Sequence, residues 1–266
     1  MKAYLTGLKS YQLDLGLECK AFFDPRLERI LHGIKRDHNE PNRRVRTPLT
    51  RPHLLLILRR LTTTEYNQVV LRAAFTLAFA AFLRVGEFTY KPSEIAMGPL
   101  FRTWFLTKSS IQIITHEEEV FLELTLPASK TDPFRHGVQL TIAASKDAGC
   151  PVNAMKQLLR MDTHRPPHSP LFCIGTHEQL PFTREYVVRR LQELAIEAGL
   201  GYGAWNGHCF RRGAATWAAQ VGISETQIQT LGRWRSDAYK AYIEYSKEER
   251  ISLSRRFQRA PRANDR

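Results

Sequence analysis

Between Ser109 and Ala143 the apolar residues fall at every second position, as in Ile111-Gln112-Ile113, Val120-Phe121-Leu122-Glu123-Leu124-Thr125-Leu126 and Val138-Gln139-Leu140-Thr141-Ile142. A period of two puts one face of a strand on a core and the other in water. The patterned segments on either side repeat instead at helical spacing, so the chain is predicted to be mainly α with a small antiparallel three-stranded β-sheet set into it, an α+β fold.

Helices are expected from Thr50 through Leu61, from Glu65 to Leu83, and then over Val152–Arg160, Arg184–Ala198, His208–Gln220, Glu225–Leu231 and Asp237–Ser246, with Gly199, Gly201, Gly203 and Gly222 as punctuation. The second of these is nearly apolar over its last three turns and must be buried on most sides. Ahead of them, Met1 to about Leu17 and Asp24 to Ile34 form two short amphipathic helices, the second opened by an Asp cap and Pro25. Two such helices cannot bury a core alone. The Arg- and Pro-containing stretch from Glu40 to Pro52 reads as a linker, which puts a boundary near residue 47. The predicted parts are 1–47, 48–250 and a basic tail, 251–266.

With 266 residues and 43% apolar content the chain can fill a core, and its formal charge of +13 suits a polyanionic partner. The longest predominantly apolar run, Ala73 to Leu83, is far short of the roughly 20 residues of a membrane span. Nucleic acid is therefore favoured over a membrane. From Pro41 to Arg60 there are six arginines, Arg43, Arg44, Arg46, Arg51, Arg59 and Arg60, and no acid, while the tail has five arginines against Asp265. Solvated surface charge is the plain reading of either segment alone; together they suit phosphate-backbone contacts, which give affinity without sequence specificity. Cys19, Cys150, Cys173 and Cys209 lack CxxC spacing, so neither zinc nor a disulfide framework is indicated. The N-terminus lacks a signal-peptide core, and an intracellular protein is expected.

Four separate segments carry side chains suited to phosphoryl transfer. His208 and Arg211 sit three apart at the start of a helix, on one face, where a single phosphate could meet both. Arg212 projects about 100° away from that face and is expected to make a DNA-backbone or structural contact instead. Arg84, in Phe82-Leu83-Arg84-Val85-Gly86-Glu87, is expected at the end of the buried helix, where it is equally a helix C-terminal cation paired with Glu87. Lys130 occupies the turn between two strands and could protonate a leaving oxygen, although turn lysines are commonly just solvated. Tyr242 follows Arg211 by 31 residues, with Tyr239 and Tyr245 three positions to either side, a spacing that also suits an aromatic packing stripe. A tyrosine of pKa near 10 costs roughly 4 kcal/mol to deprotonate at pH 7, so as a nucleophile it needs cations beside it.

Taken together and in this order, these residues resemble the tyrosine recombinase (phage integrase) family, whose pattern is Arg, Lys, His-x-x-Arg, His or Trp, Tyr. The run Leu231-Gly232-Arg233-Trp234-Arg235-Ser236-Asp237-Ala238-Tyr239-Lys240-Ala241-Tyr242-Ile243 is most similar to eukaryotic members, the Crypton-type mobile-element recombinases and fungal DNA breaking-rejoining enzymes. The resemblance spans about residues 48 to 250 and implies a recombinase catalytic domain. It implies that Arg84 and Arg211 clamp the scissile phosphate, that Lys130 is the general acid, that His208 assists proton transfer, and that Tyr242 forms a 3′-phosphotyrosine link. Glu87 would support the first arginine, and Arg233 is expected as a second supporting residue. It further implies duplex DNA as partner, self-association in a tetrameric synapse, a nuclear location, and no metal or nucleotide cofactor.

The pattern departs from the family in three ways. The His-or-Trp position is matched by Arg233 counting back from Tyr242 and by Trp234 counting on from Arg211; Trp234, whose indole N–H can donate to a phosphate oxygen, is preferred. Arg212 stands where bacterial relatives commonly carry histidine. Met1 to about Leu17 resembles only the last helix of the family's core-binding domain, so 1–47 is expected to be a remnant of that domain plus a linker, in a truncated or degenerate copy. The competing readings are a non-catalytic DNA-binding protein derived from a recombinase, a type IB topoisomerase, and, with no carboxylate cluster to favour it, a metal-dependent nuclease.

Overall fold

The computed structural model describes residues 2–37, 47–127, 137–176, 180–203, 205–234, 236–242, 251 and 254–255. Its contacts divide the chain into two units, Met1–Val45 and Arg46–Arg266. In the first, α1 (Lys2–Asp14) and α2 (Pro25–Asp37) flank a 3-10 turn at Lys20–Phe23. Asp24 accepts the backbone N–H of Arg26 at 2.8 Å and Pro25 takes the first helical position, the local chemistry that starts α2. This unit buries little of its apolar surface: Tyr4, Leu8, Tyr11, Phe23 and Ile30 are exposed.

The second unit begins with α3 (Arg51–Leu58) and α4 (Tyr66–Ala80), followed by three short helices, α5 (Val85–Phe88), α6 (Pro92–Ile95) and α7 (Phe101–Trp104). A three-stranded sheet of β1 (Ile111–His116), β2 (Glu119–Leu126) and β3 (Val138–Ala143) comes next. Then follow α8 (Pro151–Met161), a two-residue pair β4 (Cys173–Ile174) and β5 (Leu180–Pro181), α9 (Arg184–Glu197), α10 (Cys209–Gln220), α11 (Glu225–Gly232) and a 3-10 turn, Asp237–Tyr242. The fold is thus mainly helical with a small antiparallel sheet. Among the described residues no helix is long and apolar enough to cross a membrane.

The sheet has the order β1-β2-β3, antiparallel throughout, with Ile113 opposite Leu122 and Leu122 opposite Ile142. Alternation along β2 sends Leu122, Leu124 and Leu126 into the core, where β2 and β3 pack on α8. Glu117 and Glu118, both left-handed with φ of 48° and 69°, turn the chain from β1 into β2 in two residues, as a type I′ turn does. No Asn-Gly pair marked this turn, and it leaves Glu117, Glu118 and Glu119 exposed. A buried ion pair joins Arg165 to Asp162 just after α8, and Lys108 ties the same loop to the start of β1 through the carbonyls of Asp162 and Arg165.

Apolar residues ring α4, which only a helix surrounded on all sides can accommodate; α3, α8, α10 and β4 lie against it. The hydrophobic pattern predicts that this helix runs on to Leu83, but it ends at Ala80. Phe82 adopts a left-handed conformation, φ 52°, which returns the Leu83 N–H to the Ala78 carbonyl at 2.8 Å and closes the helix with the bond pattern normally built on glycine. Arg84 is consequently not a C-terminal cation of α4 but the residue that caps the start of α5. At the other end of the chain, a 3-10 turn ending at Tyr242 occupies the start of the helix predicted for Asp237–Ser246, whose remaining residues lie outside the described ones.

Gly213 lets α10 rest directly on the backbone at Leu49: a Cβ there would stand 1.9 Å from the Leu49 carbonyl oxygen. Gly213→Ala gains about 1 kcal/mol of helix propensity, yet it must displace backbone rather than a flexible side chain. We expect a net loss of about 2 kcal/mol, within the usual cost of overpacking, read as a lower urea midpoint. An unchanged or raised midpoint would show that this contact yields freely.

Candidate functional site

The segment leaving α4 brings the first cluster together. Glu87, whose side chain is 5% exposed, reaches back across the first turn of α5. It accepts the backbone N–H of Arg84 at 2.9 Å and the Arg84 guanidinium at 2.8 Å. The carboxylate therefore fixes both ends of the arginine, leaving the Arg84 side chain 22% exposed. Beside it the Val85 N–H donates to the Gly207 carbonyl at 3.3 Å, which sets Arg84 against the start of α10. Only glycine allows this approach, because a Cβ on residue 207 would lie 2.3 Å from Val85 Cγ1. His208 follows immediately. It is exposed, takes the N-cap position of α10, and its N–H donates to Asn206 Oδ1 at 2.9 Å.

Arg211 lies in the first turn of α10 and is 2% exposed. Its guanidinium donates to the Phe82 carbonyl at 2.7 Å and to the Gly232 carbonyl, joining the chain just past α4 to the end of α11. The Trp234 indole covers it, with Arg211 Cζ 4.1 Å from the ring centroid, a cation–π contact. Trp234 also meets Phe82 edge to face at 6.1 Å and Tyr239 at 5.9 Å. Gly232 makes room for the indole, since a Cβ there would fall 1.6 Å from Trp234 Cζ3. Arg233 points the other way, to the Ala81 carbonyl at 2.8 Å and to Glu87 Oε2 at 3.2 Å. Burial pushes the Arg233 pKa below the ordinary arginine value; Glu87 opposes that shift and the neighbouring Arg84 adds to it.

Of the residues singled out by sequence, Arg84, Glu87, His208, Arg211, Arg233 and Trp234 are thus gathered by the ends of three helices. The turn that finishes at Tyr242 packs on α10 and α11, next to this cluster. The Tyr242 side chain, Lys130, and Arg43, Arg44 and Arg46 lie outside the described residues. Tyr239 is buried under Trp234 and donates to Glu225 at 3.2 Å, so it belongs to the packing. Arg51 is held by Asp147 at 2.7 Å and by Ser145 at 3.1 Å, and Arg212 is half-buried on α10.

Arg184, which the sequence reading does not single out, is exposed at the first position of α9, and its Nε lies 3.6 Å from where a Cβ on Gly207 would stand. A cation in the first turn of a helix, where the helix dipole favours anions, was the available signal. Cys209, next to His208, is buried and accepts the Asn206 N–H at 2.7 Å. Burial raises its thiol to about 11, which keeps it protonated at neutral pH and unsuited to a Cys-His nucleophile. No group of three or more His, Cys, Asp or Glu side chains that could hold a metal occurs among the described residues.

No protein-family model matches the chain, and no curated protein does. Solved structures do. XerA recombinase superposes with a TM-score of 0.53 at 16% identity, over 84% of this chain and 66% of that one. XerH site-specific recombinase bound to difH substrate in a pre-cleavage complex gives 0.51 at 12% identity, over 80% and 55%. The post-cleavage XerH complex with palindromic difH gives 0.53 at 11%, over 80% and 53%. The chain therefore spans about two thirds of XerA and just over half of XerH, and its fold is that of a tyrosine recombinase catalytic domain.

Gly207→Ala tests whether the approach of residues 84–85 to 207–208 depends on an absent side chain. The β-branched Val85 cannot swing clear, so we expect a destabilisation of about 1–3 kcal/mol and weaker protection of the Val85 amide in hydrogen exchange. Unaltered protection would mean that the two segments are held together by something else.

Proposed function

We propose that this chain is a DNA breaking-rejoining protein of the tyrosine recombinase type, acting through a 3′-phosphotyrosine intermediate. The observation that carries the reading is the meeting of Arg84, His208, Arg211 and Trp234 where α4 and α11 end and α10 begins, within a recombinase catalytic-domain fold. Arg84, the more exposed arginine and aimed by Glu87, binds a non-bridging oxygen of the scissile phosphate. Arg211 contributes a rigid, desolvated charge from beneath, and the Trp234 N–H donates to the same phosphate. Arg184 adds a further contact to the DNA backbone.

In the chemical step the Tyr242 oxygen attacks phosphorus as its proton passes to His208. The bond from phosphorus to the 5′-oxygen breaks, and Lys130 delivers a proton to that oxygen, leaving a 5′-hydroxyl and a 3′-phosphotyrosine. Rejoining is the reverse attack by a 5′-hydroxyl, so bond energy is conserved without nucleotide or metal. The run Leu231 to Ile243 supports a Crypton-type or fungal affiliation and hence action in the nucleus, on duplex DNA, with other copies of the chain. Arg211 at 2% exposure, roofed by Trp234, favours one second reading, a protein that occupies DNA without cutting it.

A nicked suicide duplex separates the two. Under the proposal the wild type gives a covalent protein–DNA adduct that survives denaturing electrophoresis, Tyr242→Phe gives none, and both bind the duplex equally. Adduct from both variants would remove Tyr242 from the chemistry. Salt-sensitive binding with no adduct from the wild type would establish the DNA-occupying protein instead.

A further inference from the structure

Arg233 ends α11 in a left-handed conformation, φ 57° and ψ 43°, with its N–H returned to the Thr230 carbonyl at 3.0 Å and the Trp234 N–H to Gln229 at 3.0 Å. Glycine takes this position without strain. A long charged residue there has to be held by its side chain, and this one is: Nη1 donates to Ala81 and Nη2 to Glu87, with 14% of the side chain exposed. The result is a carboxylate shared between two arginines. Glu87 Oε1 takes the Arg84 guanidinium, while Oε2 takes both the Arg84 backbone N–H and Arg233. A carboxylate held by one guanidinium can swing with it. One gripped from the far side by a second guanidinium, itself anchored to the chain just past α4, cannot.

We propose that Arg233 is a positioning residue: it locks Glu87, and through Glu87 the guanidinium of Arg84, without touching the DNA. This rests on the proposed strand-breaking function and gives Arg233 a role distinct from that of Trp234. The two neighbours diverge, Trp234 onto Arg211 and Arg233 onto the carboxylate behind Arg84. Counting along the sequence makes either of them the residue beside the phosphate; the geometry points to Trp234.

A double-mutant cycle in the full chain tests this, using single-turnover cleavage of the nicked duplex together with the Kd for the same duplex. Arg233→Gly relieves the left-handed strain while deleting the side chain, so it is the variant most apt to fold. Arg233→Lys keeps the charge, but its single ammonium cannot span Ala81 and Glu87. Both are expected to slow cleavage about a hundredfold, the cost of a reacting group misplaced by an ångström, with Kd unchanged. Because Arg233 acts through Glu87, the Arg233→Gly, Glu87→Gln double variant should be no slower than Glu87→Gln alone. Losses that multiply, a Kd that weakens with a salt slope lower by about one, or wild-type cleavage by Arg233→Gly would each overturn the inference and leave the proposed function standing. A wild type that binds DNA but forms no adduct would remove the proposed function and this inference with it.

Discussion

The guanidinium of Arg211 bridges two carbonyls that belong to different helix ends, and the arrangement around it depends on that bridge. Phe82 lies just beyond α4 and Gly232 closes α11, so one side chain of α10 ties the ends of both helices together. Carbonyls at helix ends carry partial negative charge, and the Trp234 ring adds its negative face, both of which favour a buried cation. Arg165 is buried to a similar degree, and the carboxylate of Asp162 holds it.

Two of the segments that meet there pass through left-handed residues that are not glycine, Phe82 and Arg233. Each costs roughly 1–3 kcal/mol, and such conformations persist only where surrounding contacts enforce them. For Phe82 the enforcement comes from its ring against Trp234 and its carbonyl on Arg211, and for Arg233 from Glu87 and Ala81. Glycines take the complementary part: Gly207 and Gly232 are close approaches where a side chain would collide with Val85 or Trp234.

Much of this was legible in the residues. Period-two alternation locates the three strands of the larger sheet but not the two-residue β4 and β5, Asp24-Pro25 locates the start of α2, and the spacing of His208 and Arg211 puts both at the beginning of one helix. The errors have physical causes. An apolar helix reads as continuous until its backbone turns left-handed, and Phe82 carries no sign of that, so the pattern extends α4 too far and puts Arg84 on the wrong element. Helices α5, α6 and α7 are single turns, too short for any periodicity to declare them. Tyrosines three apart fit an α-helix and a 3-10 turn alike, so the pattern at Tyr239 and Tyr242 could not choose between them. The two readings at Arg233 and Trp234 were a matter of counting, whereas their opposite directions are a matter of backbone hand.

The tight turn between β1 and β2 gives the sheet a polarity. Glu117, Glu118 and Glu119 stand exposed at one end of the strands, while the connection from β2 to β3 leaves from the opposite end. In a chain carrying a net +13, this acidic tip is a local repulsive patch for any polyanion. The β1–β2 end of the sheet is thus an anion-excluding face, a local exception to the sign of the chain as a whole.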